Sequence, residues 1–228
     1  MHPALAEIPD RILALAIGAL AQANMHAAFM DPGNEHWDFI SILNSAHAGE
    51  LFLKAAIARE HPLLLFKEIY SFDDEMSEYL EIENMIKRGK THEFDRLPHI
   101  LWAATGMRIE NKECFDRLRK ARNAIQHFCA PDSEKFSELS LEFIYTVIDP
   151  LISKLFGICA IDYHEDHSIG YDYIVARLIK SELPFTLSKD FDIGDISLKH
   201  ELKNTSAKYQ RWLEGELSKI GRIDLLSS

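Results

Sequence analysis

The chain has 228 residues, of which 47% are hydrophobic and 27% are charged, a composition typical of a globular protein that buries a core without disulfides or structural metals. Its formal net charge of −11 argues against general binding of nucleic acid, because contacts with phosphates would require a local basic patch. Three cysteines without a CxxC spacing argue against a disulfide framework and favour reduced thiols in a cytoplasmic protein.

The first predicted helix covers residues 10–30, where apolar residues recur at helical spacing before Pro32 and Gly33. The N-terminal stretch of the chain, MHPALAEIPDRILALAIGALAQA, has no basic start, and charged residues interrupt its apolar run. We therefore interpret it as an amphipathic helix rather than a signal peptide. The chain has no stretch of about 18 uninterrupted apolar residues, so we expect no membrane span and no membrane partner.

The second predicted helix begins after Asn34, a candidate N-cap, and runs to about residue 60, where a His-Pro dipeptide interrupts it. An acidic segment follows at about residues 63–92. From Glu68 to Glu83 this segment contains seven carboxylates and no basic residue. We interpret it as an insertion of loops and short helices with a solvated, charged surface.

The remaining segments up to residue 156 are also predicted to be helical. HEFDRLPHILWAATG ends at Gly106, NKECFDRLRKARNAIQHF begins at Asn111, and Pro150 should kink the helix of SEKFSELSLEFIYTVIDPLISKLFG. The sequence therefore predicts an all-α fold. We expect a helical bundle over residues 1–156 with the inserted acidic segment, and a mostly helical C-terminal extension over residues 157–228 that packs on the bundle.

The helix that begins at Asn111 separates apolar from polar side chains, since each residue advances by about 100°. Its apolar side, which should face the core, is formed by Phe115, Leu118, Ala121, Ile125 and Phe128. A second stripe is formed by Arg119, Asn123, Gln126 and His127. Arg122 lies about 140° from His127 around the helix. The two side chains therefore meet only if the arginine stem bends toward the histidine or reaches it across a twofold interface.

The stretch from Arg108 to Asn123 is the most basic window of the chain, with six basic residues against three acidic ones. A histidine can take a proton from a ribose 2′-hydroxyl or give one to a leaving oxygen at a phosphodiester. A guanidinium beside it can clamp the phosphate oxygens with paired hydrogen bonds. The RNAIQH stretch, residues 122–127, is therefore compatible with RNA cleavage that requires neither a metal nor a cofactor.

RNAIQH, set in the longer stretch LRKARNAIQHF, resembles the Arg-Asn-x-x-x-His signature of the HEPN superfamily. The stretch AHAGELFLKAAI, residues 46–57, is similar to the second helix of that family, where a polar residue approaches the signature. The resemblance extends over about residues 8–157 and leaves the C-terminal part unmatched. It implies a four- or five-helix up-and-down bundle, usually a homodimer, in which the two signatures face each other across a cleft.

Many members of this family are metal-independent endoribonucleases in toxin–antitoxin, phage-defence or RNA-processing systems. The resemblance therefore implies RNA as the substrate, a homodimer, and a cognate antitoxin or regulatory protein as a further partner. It implies catalytic roles for Arg122 and His127, with Asn123 as a supporting residue. The polar partners from the second helix would be Glu50, His47 and Lys54. The RNA-binding residues would be Arg119 and Lys120 of the basic window, together with Gln126 just after it.

Other interpretations of the same residues stay open. Glu50 and Lys54 form an i,i+4 pair that stabilises a helix by about 0.2–0.5 kcal/mol without any further function, and His47 is typical of a packing histidine. Some members of the family are not nucleases, so the alternative function is a non-catalytic helical module that binds nucleic acid, a nucleotide or a partner protein. YHEDH, residues 163–167, suggests metal ligands, but we expect a solvated turn and no metal site.

Overall fold

The structure, a computed structural model, describes residues 3–29, 34, 36–68, 89–129, 135–164 and 170–227. The α-helices are α1 (Ile8–Ala28), α2 (His36–Glu60), α3 (Leu97–Thr105), α4 (Lys112–His127), α5 (Phe136–Phe143), α6 (Asp149–Phe156), α7 (Asp172–Lys180), α8 (Leu198–Glu201) and α9 (Ala207–Ile220). The described residues contain no strand, and an isolated antiparallel bridge joins Phe66 and Thr91. The predicted all-α helical fold is therefore confirmed.

The ends of several helices are fixed by the capping residues that the sequence predicts. At the start of α2, the backbone N–H of His36 donates to the Asn34 side chain at 3.1 Å. At the start of α4, Asn111 accepts from the backbone N–H of Cys114, also at 3.1 Å. Gly106 ends α3 with φ of +74°, a left-handed conformation that a side chain would disfavour. Local capping chemistry thus sets where α4 starts.

α2 is the central helix of the bundle and contacts α1, α3, α4 and α5. Its buried positions are mostly small residues, which let neighbouring helices approach closely. At Gly49 the ring of Phe143 from α5 packs directly on the backbone, and a Cβ there would lie 2.6 Å from Phe143 Cζ. This close approach sets the position from which the next residue, Glu50, projects.

α4 buries one side against the core and leaves the other accessible. Phe115, Leu118 and Ala121 are buried as predicted, and the Phe115 ring lies 4.6 Å from the ring of Phe94. The prediction that Phe128 also faces the core was wrong, because its side chain is 92% exposed. α4 ends at His127, and the backbone of Phe128 (φ −148°, ψ −87°) leaves the helical path.

The helical segment that contains Pro150 is interrupted one turn before the proline. A π-helical turn, Ile144–Ile148, connects α5 to α6, and the backbone N–H of Asp149 bonds to the Ile144 carbonyl. Proline has no N–H and its ring crowds the carbonyl four residues earlier, so widening this turn relieves the conflict. The distortion predicted at Pro150 therefore takes the form of a π turn.

The C-terminal segment shares the hydrophobic core of the bundle in the described part of the chain. Asn24 of α1, fully buried, donates to the carbonyls of Ala160 (2.9 Å) and Tyr163 (2.8 Å) and accepts from the Tyr145 hydroxyl at 2.9 Å. Asp149 accepts from the backbone N–H of Ala160 at 2.8 Å. These buried side chains attach the segment after residue 157 to the helices before it.

Burial raises the pKa of the Asp149 carboxyl, and hydrogen bonds from Ala160 and Thr186 oppose this shift. The second of these bonds runs from the Thr186 backbone N–H to Asp149 Oδ2 at 2.6 Å.

No helix in the described part of the chain has both the length and the apolar character needed to cross a membrane. Residues 69–88, most of the predicted acidic insertion, lie outside the described residues.

Candidate active site

An open groove of about 560 Å³ lies between α2, α4 and the segment that leads into α3. The residues that α4 contributes are Arg119, Arg122, Asn123 and His127. α2 contributes Glu50, and the remaining wall consists of residues 91–95. We call this the signature groove. Residues from both predicted halves of the site, α4 and α2, therefore lie together within one chain.

Arg122 and His127 both line the signature groove although they are five residues apart on α4. The Arg122 guanidinium points toward Glu50 of α2, and 29% of its side chain remains exposed. His127 is exposed and is the last residue of α4. A guanidinium and an imidazole therefore both border the same open groove.

The Arg122 guanidinium is held by two neighbouring side chains. Its Nη1 donates to Asn123 Oδ1 at 3.3 Å, and its Nη2 lies 3.9 Å from Glu50 Oε2. The other carboxylate oxygen of Glu50 accepts from Lys54 Nζ at 2.7 Å. Lys54 also donates to the hydroxyl of Thr91 at 3.4 Å. Glu50 thus links Lys54 to Arg122, and Asn123 orients the guanidinium from its own helix.

The other predicted site residues lie apart from this cluster. His47 is exposed, so the interpretation of a packing histidine was wrong. Lys120 and Gln126 are exposed as well. Among the described residues, none of these three is part of the wall of the signature groove. Lys54 reaches the site through Glu50.

The charge of the basic window is largely balanced by nearby carboxylates. Lys112 and Arg119 lie 3.2 and 3.9 Å from Asp116, and Arg117 lies 3.0 Å from Glu142. The signature groove itself contains three carboxylates, those of Glu50, Glu93 and Asp95. Exposed pairs of this kind are each worth about 0–1 kcal/mol, so a phosphate can displace them. The groove is a mixed-charge site rather than a purely basic one.

The wall formed by residues 91–95 was not found by sequence reasoning. It includes His92, a second histidine. The pKa of His92 is lowered, because burial and the positive charge of Lys67 outweigh the opposing effect of a hydrogen bond with the backbone of Phe66. The position of this wall depends on backbone hydrogen bonds between residues 65–67 and 90–92. These two stretches are more than 20 residues apart, so local sequence carries no signal of their contact.

Cysteines and metal ligands make no further site in the described residues. Cys114 and Cys159 are buried, Cys129 is exposed, and none of the three forms a disulfide. Burial raises the pKa of the Cys114 and Cys159 thiols to about 12, which makes both poor nucleophiles. No group of three or more metal-ligating side chains occurs among the described residues. Of the histidines and carboxylates of YHEDH, the structure describes His164, which is buried.

Comparisons of the chain with family models, with curated proteins and with solved structures find no match. The function must therefore be argued from the side chains of the signature groove and from their chemistry.

Proposed function

We propose that the protein is a metal-independent endoribonuclease that cleaves RNA in the signature groove. What supports the proposal is the shared position of Arg122, Asn123, His127 and Glu50 around one open cavity. In phosphodiester cleavage a guanidinium can stabilise the charge that develops on the phosphate, and an imidazole can transfer a proton. The resemblance of RNAIQH to the HEPN signature extends the proposal to a toxin–antitoxin, defence or RNA-processing role with an antitoxin or regulatory partner.

The proposed reaction is an internal transesterification. The ribose 2′-oxygen attacks the phosphorus, the bond from phosphorus to the 2′-oxygen forms, and the bond to the 5′-oxygen breaks. The 2′-hydroxyl loses its proton and the 5′-oxygen gains one, so the products are a 2′,3′-cyclic phosphate and a 5′-hydroxyl. Arg122 would bind the phosphate oxygens as their charge increases, and His127 would exchange a proton with the substrate.

The reaction can be tested with purified full-length protein, total RNA and an excess of EDTA over a range of salt concentrations. We expect cleavage that persists in EDTA. A His127→Ala sample purified in parallel distinguishes this activity from a contaminating nuclease. If the wild-type protein cleaves nothing at any salt concentration, the proposal is wrong.

Replacing Glu50 by glutamine should separate the two roles of this carboxylate. The change removes the charge that holds Arg122 and Lys54, so we expect kcat to fall about tenfold as the guanidinium loses its orientation. It also removes a negative charge from the groove, so KM for RNA should fall. Steady-state kinetics measure both constants.

The matched control for Glu50→Gln is Glu60→Gln, which changes an exposed carboxylate at the other end of the same helix. Unchanged constants in this control show that the effect is specific to the groove. A Glu50→Gln protein with the wild-type kcat would show that Glu50 does not position Arg122.

We also propose that two copies of the chain pair along the exposed end of α4. His127 lies at this end, and the neighbouring Phe128 presents an aromatic ring that is 92% exposed. Aromatic side chains are enriched at protein–protein interfaces, which makes this exposed ring a candidate interface residue. Pairing there would bring both signature grooves close to the twofold axis.

Replacing Phe128 by aspartate should weaken this pairing without unfolding the chain, because the side chain makes little contact with the core. We expect the dissociation constant of the dimer to rise at least about tenfold. Sedimentation at several protein concentrations measures it. Ile223→Asp, which changes another exposed apolar residue in the C-terminal part, is the control. Equal association of wild type and Phe128→Asp would remove Phe128 from the interface.

The second candidate function is a non-catalytic module that binds a nucleotide, nucleic acid or a partner protein. The carboxylates of Glu50, Glu93 and Asp95 favour the partner protein among these ligands, because they repel the phosphates of a long RNA and attract basic side chains. The two functions differ in a simple observation. A binding module leaves added labelled RNA at full length, whereas the proposed nuclease shortens it.

A further inference from the structure

A second histidine is held in the wall of the signature groove by backbone pairing. The N–H of Lys67 donates to the Lys90 carbonyl at 2.9 Å, and the N–H of His92 donates to the Leu65 carbonyl at 2.8 Å. The bridge between Phe66 and Thr91 lies between these bonds. The backbone of residue 92 is therefore fixed on the wall that faces α4, although residues 89–93 lie outside the helices.

His92 lies where the signature groove meets a second groove of about 490 Å³. The residues shared by both grooves are His92, Glu93 and Asp95. The imidazole is partly buried and makes a hydrogen bond with the backbone of Phe66. Because this bond favours the protonated ring, the backbone group is the carbonyl acceptor. The bond fixes the orientation of the ring and leaves its other nitrogen for a ligand.

We propose that His92 is a second acid–base residue of the signature groove, which takes the proton from the 2′-hydroxyl while His127 gives a proton to the leaving 5′-oxygen. This inference rests on the proposed ribonuclease function and completes it. One imidazole cannot be deprotonated as a base and protonated as an acid at the same moment. Two imidazoles on opposite walls, one from α4 and one from residues 91–95, supply both states in a single step.

The proton balance closes over one turnover. His92 gains the proton of the 2′-hydroxyl as the bond from phosphorus to the 2′-oxygen forms, and His127 loses its proton to the 5′-oxygen as the bond from phosphorus to the 5′-oxygen breaks. The two imidazoles then exchange a proton with water before the next cycle. No metal, oxidant or other reactant is consumed.

The charged groups that face His92 come from every side of the groove. Lys67 of the paired stretch lies 2.6 Å from Glu93. The further groups from the groove walls are Asp95, Glu50 of α2, and Arg119, Arg122 and His127 of α4. The second groove adds Arg96 and His99.

The protonation state of the His92 imidazole in the absence of substrate suits a general base. Burial, the largest cause, lowers the pKa of His92 from its ordinary value of 6.5, and the charge of Lys67 lowers it further. The bond to Phe66 only partly reverses these effects. The imidazole is therefore neutral at neutral pH and ready to accept a proton. We expect kcat/KM to rise with pH as His92 loses its proton, at a lower pH than for an ordinary histidine.

The assignment can be tested with two RNA substrates that differ in one atom. One is ordinary RNA, and the other has sulfur in place of the leaving 5′-oxygen, a leaving group that needs no protonation. We expect His92→Ala and His127→Ala each to lose at least about 100-fold in activity on ordinary RNA. The sulfur substrate should restore His127→Ala, which lacks the acid, and leave His92→Ala inactive.

Controls keep the outcomes distinct. His92→Gln preserves a polar side chain if alanine at this partly buried position disturbs the fold, and His200→Ala changes an exposed histidine of α8. Full activity of both His92 variants, with His127→Ala inactive, overturns the role of His92 and leaves the ribonuclease function intact. Restoration of His92→Ala by the sulfur substrate also overturns it, because His92 would then be the acid. An inactive wild-type protein overturns both proposals.

Discussion

RNA cleavage by His127→Ala is expected to be slower than wild-type cleavage by about 10²–10⁴-fold, the usual contribution of a positioned acid–base group. His127 is exposed at the end of α4, where it makes little contact with the core. The same change should therefore alter the free energy of unfolding by less than about 0.5 kcal/mol. Single-turnover cleavage of a labelled RNA measures the rate, and denaturant unfolding measures the stability.

The loss should be specific to the groove and to catalysis. His200→Ala removes an exposed histidine elsewhere and should cleave at the wild-type rate. RNA binding by His127→Ala should stay close to that of wild type, because Arg122 and Arg119 still line the groove. A His127→Ala protein that is folded, binds RNA and cleaves it normally would exclude this histidine from the reaction.

Replacing Asn24 by alanine is expected to cause the largest loss of stability, roughly 3–5 kcal/mol. The change removes three hydrogen bonds at a fully buried position. It leaves the carbonyl of Tyr163 and the buried hydroxyl of Tyr145 without this partner, while the Ala160 carbonyl keeps its bond from the Tyr163 N–H at 3.3 Å. Since Asn24 is in α1 and two of its partners follow residue 157, the segment after α6 should also detach more readily.

Chemical denaturation measures the loss, and hydrogen exchange of residues 158–164 locates it. Tyr145→Phe is the graded comparison, because it removes only the bond to Asn24 Oδ1 and should cost about 1–2 kcal/mol. Equal stability of Asn24→Ala and wild type would show that these bonds contribute nothing to attaching the C-terminal segment.

Much of the fold follows from local rules that the sequence displays directly. Asn34, Gly106 and Asn111 act at helix ends through short-range hydrogen bonds or a left-handed backbone, and each is recognisable from its neighbours. Phe128 shows the limit of periodicity. Its position fits the apolar stripe of α4, but the helix ends one residue earlier and the ring is exposed. Apolar periodicity predicts which side of a helix is buried, but it does not predict the residue at which the helix ends.

The candidate site was predictable only in part. The Arg-Asn-x-x-x-His pattern predicts Arg122, Asn123 and His127 as site residues, and the similarity of residues 46–57 to the second helix of the same family predicts Glu50. The opposite wall depends on pairing across the acidic segment, and a bond between backbones at residues 65–67 and 90–92 leaves no mark on side-chain composition. His92 is therefore recognised as a site residue only from the structure, in which the two stretches pair.

The most direct test of the account is the fate of an RNA in which the nucleotide before a mapped cleavage site carries 2′-deoxyribose. We expect cleavage to stop at that position in EDTA. We also expect unmodified RNA to yield fragments ending in a 2′,3′-cyclic phosphate and beginning with a 5′-hydroxyl. Continued cleavage at the deoxy position, with 3′-hydroxyl and 5′-phosphate ends, would contradict attack by the 2′-oxygen and the roles assigned to Arg122 and His127.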